Sequence, residues 1–339
     1  MAILDKSRVL AAKLETVFNV AETLTAADTV QVKGSSKLDA KMDSVERAVI
    51  TDSLLKTAPI NVRENTSGNL DFELMPSGTG DDILGDVLWE AGFGVKNPAG
   101  QDSGFFVGYS DAGTTSANEI YEAQSGDTGT ATGYTLSGTT DATKSLTLKQ
   151  FIGTNKSLET TGNVVSAVDI SIPTADVATV SFSVEGCGFT TNNADTKLTP
   201  ACVTALPYLG KSAVFSFDNN TLSATDVSIK IANTIYNEEG ITSAGYTSKQ
   251  ITGKDITGSF TILFEDYSML TKLQNNISGS LYIELNQGTN KFGVYIPALK
   301  LTSFGASSNN GVMTQQVDFA VVYDCSTTTE PIIVAQEVA

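Results

Sequence analysis

The stretch "DITGSFTILFEDYSMLTKL", Asp255 to Leu273, sets a buried strand against a short helix, and the chain carries nearly the same phrase twice. Phe260, Ile262 and Phe264 alternate, as a strand with one face on a core requires. Asp266 then stands where a helix needs an acceptor for its free N–H groups, and Met269, Leu270 and Leu273 follow at helical spacing. The earlier phrase, "NTSGNLDFELMPSGTGDDILGDVLWEAGF", begins at Asn65. In it Leu70, Phe72 and Leu74 alternate, and a helix is expected from about Asp82, carrying Ile83, Val87 and Leu88. A unit this specific, written twice, predicts a duplicated building block.

The duplication continues downstream, where "SLTLKQFIGTNK" from Ser145 matches "SLYIELNQGTNK" from Ser280. Each reads as a strand and a Gly-Thr-Asn turn leading into two further strands, so the order strand, helix, strand, turn, strand, strand occurs twice. The first copy carries an insert, roughly Gly94 to Asp141, rich in Gly, Ser and Thr; a loop that long in a compact domain is usually functional. Short alternating runs, abundant turn residues and only 8 prolines in 339 residues predict a mainly antiparallel β fold. In the first half strands are expected near Lys37 to Met42, Val45 to Ile50, Val62 to Leu74, Ser145 to Phe151, Asn163 to Ile172 and Val177 to Glu185. In the second they fall near Ala213 to Phe217, Asp226 to Ile235, Gln250 to Phe264, Ser280 to Leu285, Phe292 to Phe304 and Val312 to Tyr323. The length suits two domains. The loop-like, proline-bearing stretch around Pro200 and Pro207 sets the expected division at 1–190, a linker at 191–210, and 211–339.

Charge and composition exclude several functions. Lys plus Arg total 21 against 38 Asp plus Glu, a formal charge of -17 that argues against gripping phosphate backbones. With no histidine, the Ser-His-Asp and Cys-His arrangements and every His-based metal site are ruled out. Cys187, Cys202 and Cys325 are odd in number, far apart and form no CxxC pair, so they are expected to be reduced, buried small hydrophobes. The opening "MAILDKSRVLAAKLETVF" breaks its apolar run with charges and reads as no secretory signal. No run reaches the ~20 apolar residues of a bilayer-spanning helix. A chain made and kept soluble in a cytoplasm until it meets a partner is expected.

The candidate motifs read better as structure than as chemistry. "GTGDDILG" resembles a phosphate loop, but Asp81 and Asp82 would repel phosphate and suit the dipole of a helix N-terminus. "DNNTLSATD" from Asp218 lacks the Gly and closing Glu of a calcium loop and reads as a turn. Asn237 to Glu239, and the set Glu64, Asp71 and Glu73, could be imagined as catalytic carboxylate pairs, yet solvated strand faces explain them as well. Trp89 is expected to pack its helix on the sheet. No catalytic, metal or cofactor group is therefore expected. Two loops stand apart, "TDSLLKTAPIN" from Thr51 and "YNEEGITSAGYTSKQ" from Tyr236, in matching places before each strand-helix unit. Exposed Leu54, Leu55 and Ile60, or Ile241 and Tyr246, would be liabilities on a monomer and fit contacts to another subunit.

These residues resemble the major tail tube proteins of long-tailed bacteriophages over nearly the whole chain. "RVLAAKLETVFNVAE", "VERAVITDSLLKTAPINVRENTSGNLDFEL" and "SGTG...ILGDVLWEAGFG" look like the amino-terminal half of that family, and "ITGSFTILFEDYSMLTKLQNNISGSLYIEL" like its carboxy-terminal half. The resemblance implies two tandem β-sandwich tail-tube domains, each with a flanking short helix, whose strands join those of neighbours into a ring-shaped β-barrel. It further implies stacked rings around a channel for DNA ejection, in a virion tail assembled in the host cytoplasm without a membrane. A tandem member would fill six ring positions with three chains. The implied partners are further copies of itself, a tape-measure protein, and terminator and distal tail proteins. DNA would pass without specific binding. If Leu70, Phe72 and Leu74 face the core, Asn69, Asp71 and Glu73 face the channel, with Ser259 and Thr261 in the second copy. The loops bearing Leu54, Leu55, Ile60, Ile241 and Tyr246 would join rings. The insert would lie outside the tube or between rings. Two readings compete with this one. A duplicated Ig-like adhesin or decoration module leaves the paired helices unexplained, and a glycan-cleaving tail protein would show solenoid repeats and more aromatics.

Overall fold

The structure, a computed structural model, describes residues 7–47, 58–77, 82–97, 131–136, 143–200, 203–218, 220–240, 245–288, 290–309, 311–322 and 332–337. In the first part of the chain lie β1 (Val9–Leu14), β2 (Thr29–Val30), β3 (Lys37–Val45), β4 (Ile60–Glu73), α1 (Asp86–Phe93), β5 (Gly94–Asn97) and β6 (Ala131–Leu136). Then follow β7 (Leu146–Ile152), β8 (Lys156–Pro173), β9 (Thr179–Gly186) and β10 (Gly188–Asn192). The rest holds β11 (Ala213–Phe217), β12 (Asn220–Thr221), β13 (Ala224–Glu239), β14 (Tyr246–Leu263), α2 (Ser268–Gln274), β15 (Ser278–Gln287), β16 (Asn290–Asn309), β17 (Val312–Val321) and β18 (Ile333–Glu337). Every pairing is antiparallel, and the protein is mainly β, as the alternation predicts.

The repeated phrase becomes a repeated ladder. One copy runs β3-β4-β9-β8-β7-β1-β2, and the other runs β13-β14-β17-β16-β15-β11-β12. Even the irregularities recur. A bulge interrupts β3–β4 at Asp43/Ser44 and β13–β14 at Thr234/Ile235; another falls at Val165/Ala167 in β8 and at Leu301/Ser303 in β16. Gly68 and Gly258 occupy the same rung, where strands approach closely. A Cβ on Gly258 would sit 2.4 Å from the Phe319 ring, and one on Gly68 2.9 Å from Leu38 Cδ1.

The two copies share an edge, because β8 pairs with β13 from Ala167↔Ala232 to Pro173↔Asp226. The result is a continuous eight-strand run, β3-β4-β9-β8-β13-β14-β17-β16, whose outer edges, on β3 and on Leu301–Asn309 of β16, meet no further strand among the described residues. Its inner face is apolar by simple alternation: Leu70, Phe72, Phe182, Ile170, Ile229, Phe260 and Val317 are all buried. Trp89 packs α1 onto this face, with ring centroids 5.3 Å from Phe182 in the first copy and 6.2 Å from Phe292 in the second. One buried apolar cluster runs through both copies.

Several expectations need correction. The helix expected from Asp82 starts at Asp86, because Ile83 is bridged to Pro76, Leu84 N–H donates to Met75 O, and the chain then turns through Leu84 and Gly85 (φ 78°) before the helix begins. The separate strands expected at 37–42 and from Val45 are one strand as far as Val45, since the bulge lets the ladder continue. The ends of the insert are not loop: β5 and β6 pair with each other, and β6 pairs with β18, with Tyr134 and Leu136 buried. Within the stretch expected to link the halves, Tyr208 is buried and donates its N–H to Leu74 O. Asp266 does act at the second helix, accepting from Ser268 N–H at 2.8 Å, and Met269 is buried.

Candidate functional site

The face of the eight-strand run opposite the core is polar across both copies. On β4, Asn69, Asp71 and Glu73 point away from Leu70 and Phe72 and are half-buried among their neighbours. Asn69 Nδ2 donates to Asp71 Oδ1 at 3.0 Å; Ser181 Oγ donates to Asp71 Oδ1 at 2.7 Å and to Asn69 Oδ1 at 3.0 Å. Ser183 Oγ adds a bond to Asn69 at 3.2 Å, and Ser35 Oγ donates to the other Asp71 oxygen. In the second copy Ser259 lies between Ser228 and Asp318, and Thr261 between Asp226 and Gln316. Ser303 Oγ donates to Asp318 Oδ2, repeating the serine-to-aspartate motif one strand away.

Sequence reasoning thus located this face on β4 and β14 but missed its other strands. The signal was present: Ser181, Ser183 and Glu185 alternate with Val180, Phe182 and Val184, and Gln316 and Asp318 alternate with Val317 and Phe319. The face carries few cations, Lys37, Lys41 and Lys230 among them, beside Asp39, Asp71, Asp169 and Asp318. Lys230 is tied to Asp169 across the β8–β13 joint at 3.7 Å. Hydroxyls and carboxylates in a regular array provide hydration and negative potential, without the clustered Lys and Arg that hold phosphates.

The hairpin arms form the second candidate region. Leu54, Leu55 and Ile241 lie outside the described residues. Ile60 opens β4 and is 52% exposed, beside exposed Val62, Val45 and Met42. Tyr246 is half-buried, with the Arg63 guanidinium 4.8 Å and the Lys249 ammonium 5.0 Å from its ring centroid. Arg63 also meets Glu239 at 2.5 Å, so the two hairpins stand side by side, and Glu239 is held below the usual carboxylate range by that hydrogen bond. Lys249 is buried, with Glu185 at 3.5 Å and no hydrogen-bond partner for its Nζ among the described residues.

Of the carboxylates considered as catalytic pairs, Asp71 is engaged as above and Glu239 holds Arg63. Asp218, at the start of the calcium-like stretch, holds Lys272. Asp81 lies outside the described residues; Asp82 and Asp86 both pair with Lys96, at 2.9 and 2.8 Å. Burial pushes the Asp86 carboxyl above its ordinary range against the pull of Lys96 and Tyr134. Cys187 is buried and its thiol is pushed up to about 11, chiefly by desolvation, which suits an inert small hydrophobe. Cys202 and Cys325 lie outside the described residues. No helix among the described residues is long and apolar enough to cross a membrane.

No curated protein matches the chain. The sequence profile of one family, described as phage tail tube protein, matches residues 6–321, nearly the whole length. With a duplicated antiparallel ladder and a polar face running through both copies, the chain belongs to the phage tail tube protein family, a structural component of the virion tail.

Proposed function

We propose that this chain polymerises as stacked rings into the tail tube, and that the polar face of its eight-strand run lines the channel through which DNA leaves the capsid. The observation that carries this reading is the β8–β13 joint: two similar copies are already set edge to edge, and among the described residues the run ends in one strand edge of each kind without a partner strand, the outer edge of β3 and that of the Leu301–Asn309 end of β16. Repetition of such a joint between chains closes a sheet into a barrel and removes both open edges. Three chains then supply six copies, a trimer with pseudo-sixfold symmetry. Two tail-tube domains, 1–190 and 211–339, with 191–210 linking them, are the units of this arrangement.

Asn69, Asp71, Glu73, Ser259 and Thr261 face the lumen in this reading. An acidic, hydroxyl-rich wall lets DNA pass without the cationic contacts that would slow it. Ile60 and the loops bearing Leu54, Leu55 and Ile241 reach the next ring in this reading, with Tyr246 held by Arg63 and Lys249 to set the direction of the second arm. Assembly takes place in the host cytoplasm around a tape-measure protein, and terminator and distal tail proteins close the ends.

Negative-stain electron microscopy at rising protein concentration tests the tube: hollow tubes with three chains per ring are expected, and a persistently monomeric two-lobed particle would count against it. The lumen assignment is tested by changing Asp71 and Glu73 to Lys in phage. Slowed DNA ejection with tubes of normal length is expected, and an unaltered rate would place this face elsewhere.

A further inference from the structure

The two ends of the eight-strand run play the same parts as the two strands that meet inside it. We propose that β3 of one chain pairs antiparallel with β16 of a second copy of this chain, in the register that β13 and β8 use internally. This rests on the tube reading and gives it a residue-level joint.

The register follows from the repeated irregularities. Gly68 faces Leu38 and Gly258 faces Ile229, and on both β3 and β13 the bulge follows the fifth residue further on, Asp43 and Thr234, so Leu38 takes the place of Ile229. The shared bulge in β8 and β16 puts Ser303 in the place of Ala167, and hence Ala306 in that of Ile170. Internally Ile229 pairs with Ile170, Ile231 with Val168 and Ala232 with Ala167. Between chains Leu38 therefore meets Ala306, Ala40 meets Phe304, and Lys41 meets Ser303.

Exposure supports the assignment. Val168 and Ile170 are buried where β13 covers β8, whereas on β16 Phe304 is half-buried and Ala306 exposed. Ile229 and Ile231 are buried on β13, but Ala40 and Met42 are exposed on β3. A cavity of about 350 Å³, lined by Leu38, Leu70 and Arg8, opens beside β3; the matching groove beside β13, lined in part by Ile172 of β8, measures about 200 Å³.

Charge and hydrogen bonding point the same way. The internal joint is crossed by Lys230 and Asp169, and the outer one brings Lys41 against Ser303, whose hydroxyl is bonded to Asp318. Arg8 donates to Gly34 O and Ser36 O at 2.7 Å each, capping the edge just beyond Lys37, where Thr174 N–H caps Thr225 O internally. The joint is thereby limited to Lys37–Lys41 against Ser303–Ser307. It carries fewer large apolar pairs than the internal one, which makes it the reversible contact of the ring.

Two double variants test it, Lys41→Cys with Ser303→Cys and Ala40→Cys with Phe304→Cys. Neighbouring rungs alternate between hydrogen-bonded and non-hydrogen-bonded pairs, so the two sample both geometries. Oxidised tubes should give a non-reducing ladder that ends at three chains. The single-cysteine variants and the off-register pair Lys41→Cys with Ser307→Cys should stay monomeric. A second arm covers variants that fail to assemble: Lys41→Asp should block polymerisation, and adding Asp318→Lys should restore it. Tubes that form normally without in-register cross-links, or charge reversal without effect, would overturn the joint and leave the tube reading standing. Failure of the unmodified chain to form any tube, alone or with its tail-tip proteins, would overturn both.

Discussion

Replacing Gly258 by Ala, compared with the same change at Gly68, separates close packing from strand preference as the reason glycine occupies this rung twice. An added Cβ at Gly258 would meet Phe319 Cζ at 2.4 Å and Ser228 O at 2.5 Å. Ordinary carbon contacts lie at about 3.5–4.0 Å, so the overlap is about 1 Å on two sides. One of the two is backbone, which cannot rotate away. Overpacking of this kind costs about 1–3 kcal/mol. Against that, an alanine in a strand interior is better than glycine by about 0.5–1 kcal/mol. A net loss of about 1–2 kcal/mol is expected at Gly258. At Gly68 the contacts are 2.9 Å to Leu38 Cδ1, 3.0 Å to Lys37 O and 3.1 Å to Val184 Cγ2, two of them side-chain ends that can give way. There the terms nearly cancel. Trp89 is the only tryptophan and is fully buried, so its fluorescence in urea reports unfolding of either variant in the unassembled chain. Equal midpoints for the two variants, or a larger loss at Gly68, would refute the packing argument.

Lys249 offers a test of asymmetry in a buried pair. Lys249→Met should be neutral or stabilising, because its Nζ has no hydrogen-bond partner among the described residues, while Glu185→Gln should cost stability toward the lower end of about 3–5 kcal/mol by leaving the ammonium buried alone; urea midpoints check both. Asp195 supplies a pH dependence. Its carboxyl is held below the ordinary range by Lys149 and then Ser157, so it adds stability above the unfolded-chain value of about 3.9, and loses it as pH falls through the lower folded value. Asp195→Asn should therefore flatten the acid side of a thermal-stability profile and leave the neutral region lower, and an unchanged acid limb would rule out that contribution.

How far the fold could be read in the sequence depended on whether a strand has two unlike faces. β4 and β14 alternate cleanly, so their core and polar sides could be assigned residue by residue, and the same holds for Ser181 and Asp318 once their strands are recognised. β1, "VLAAKL", is buried on both faces at its start and shows no period. β6 and β18 are hidden for another reason: each is short, and their pairing with each other, and that of β18 with β16 and of β6 with β5, joins segments far apart in sequence. The early start given to α1 failed because local propensity at Asp82 is overruled by the bridge from Pro76 to Ile83. Glu239 and Tyr246 face each other within the β13–β14 hairpin, but Arg63 reaches them only through the tertiary placement of a second hairpin, which no spacing within either hairpin encodes.

The differences between the copies are as informative as their likeness. A perfect duplicate would make every joint in a ring the same, and a chain could then pair its own two ends as readily as a neighbour's. Here the internal joint holds Ile229 against Ile170, Ile231 against Val168, and the Lys230–Asp169 pair. The free edges carry instead Ala40, exposed Met42 and a lysine on β3, and a half-buried Phe304 with serines on β16. In the proposed ring such weaker edge chemistry would limit premature pairing of a lone chain, and Arg8 occupies carbonyls that would otherwise extend the template. Covalent linkage gives the internal joint its effective concentration, so its large apolar pairs carry no risk of mispairing between chains. In the proposed ring the joints between chains would be those of modest individual strength, and their number around a closed ring, rather than any one contact, would make the tube stable.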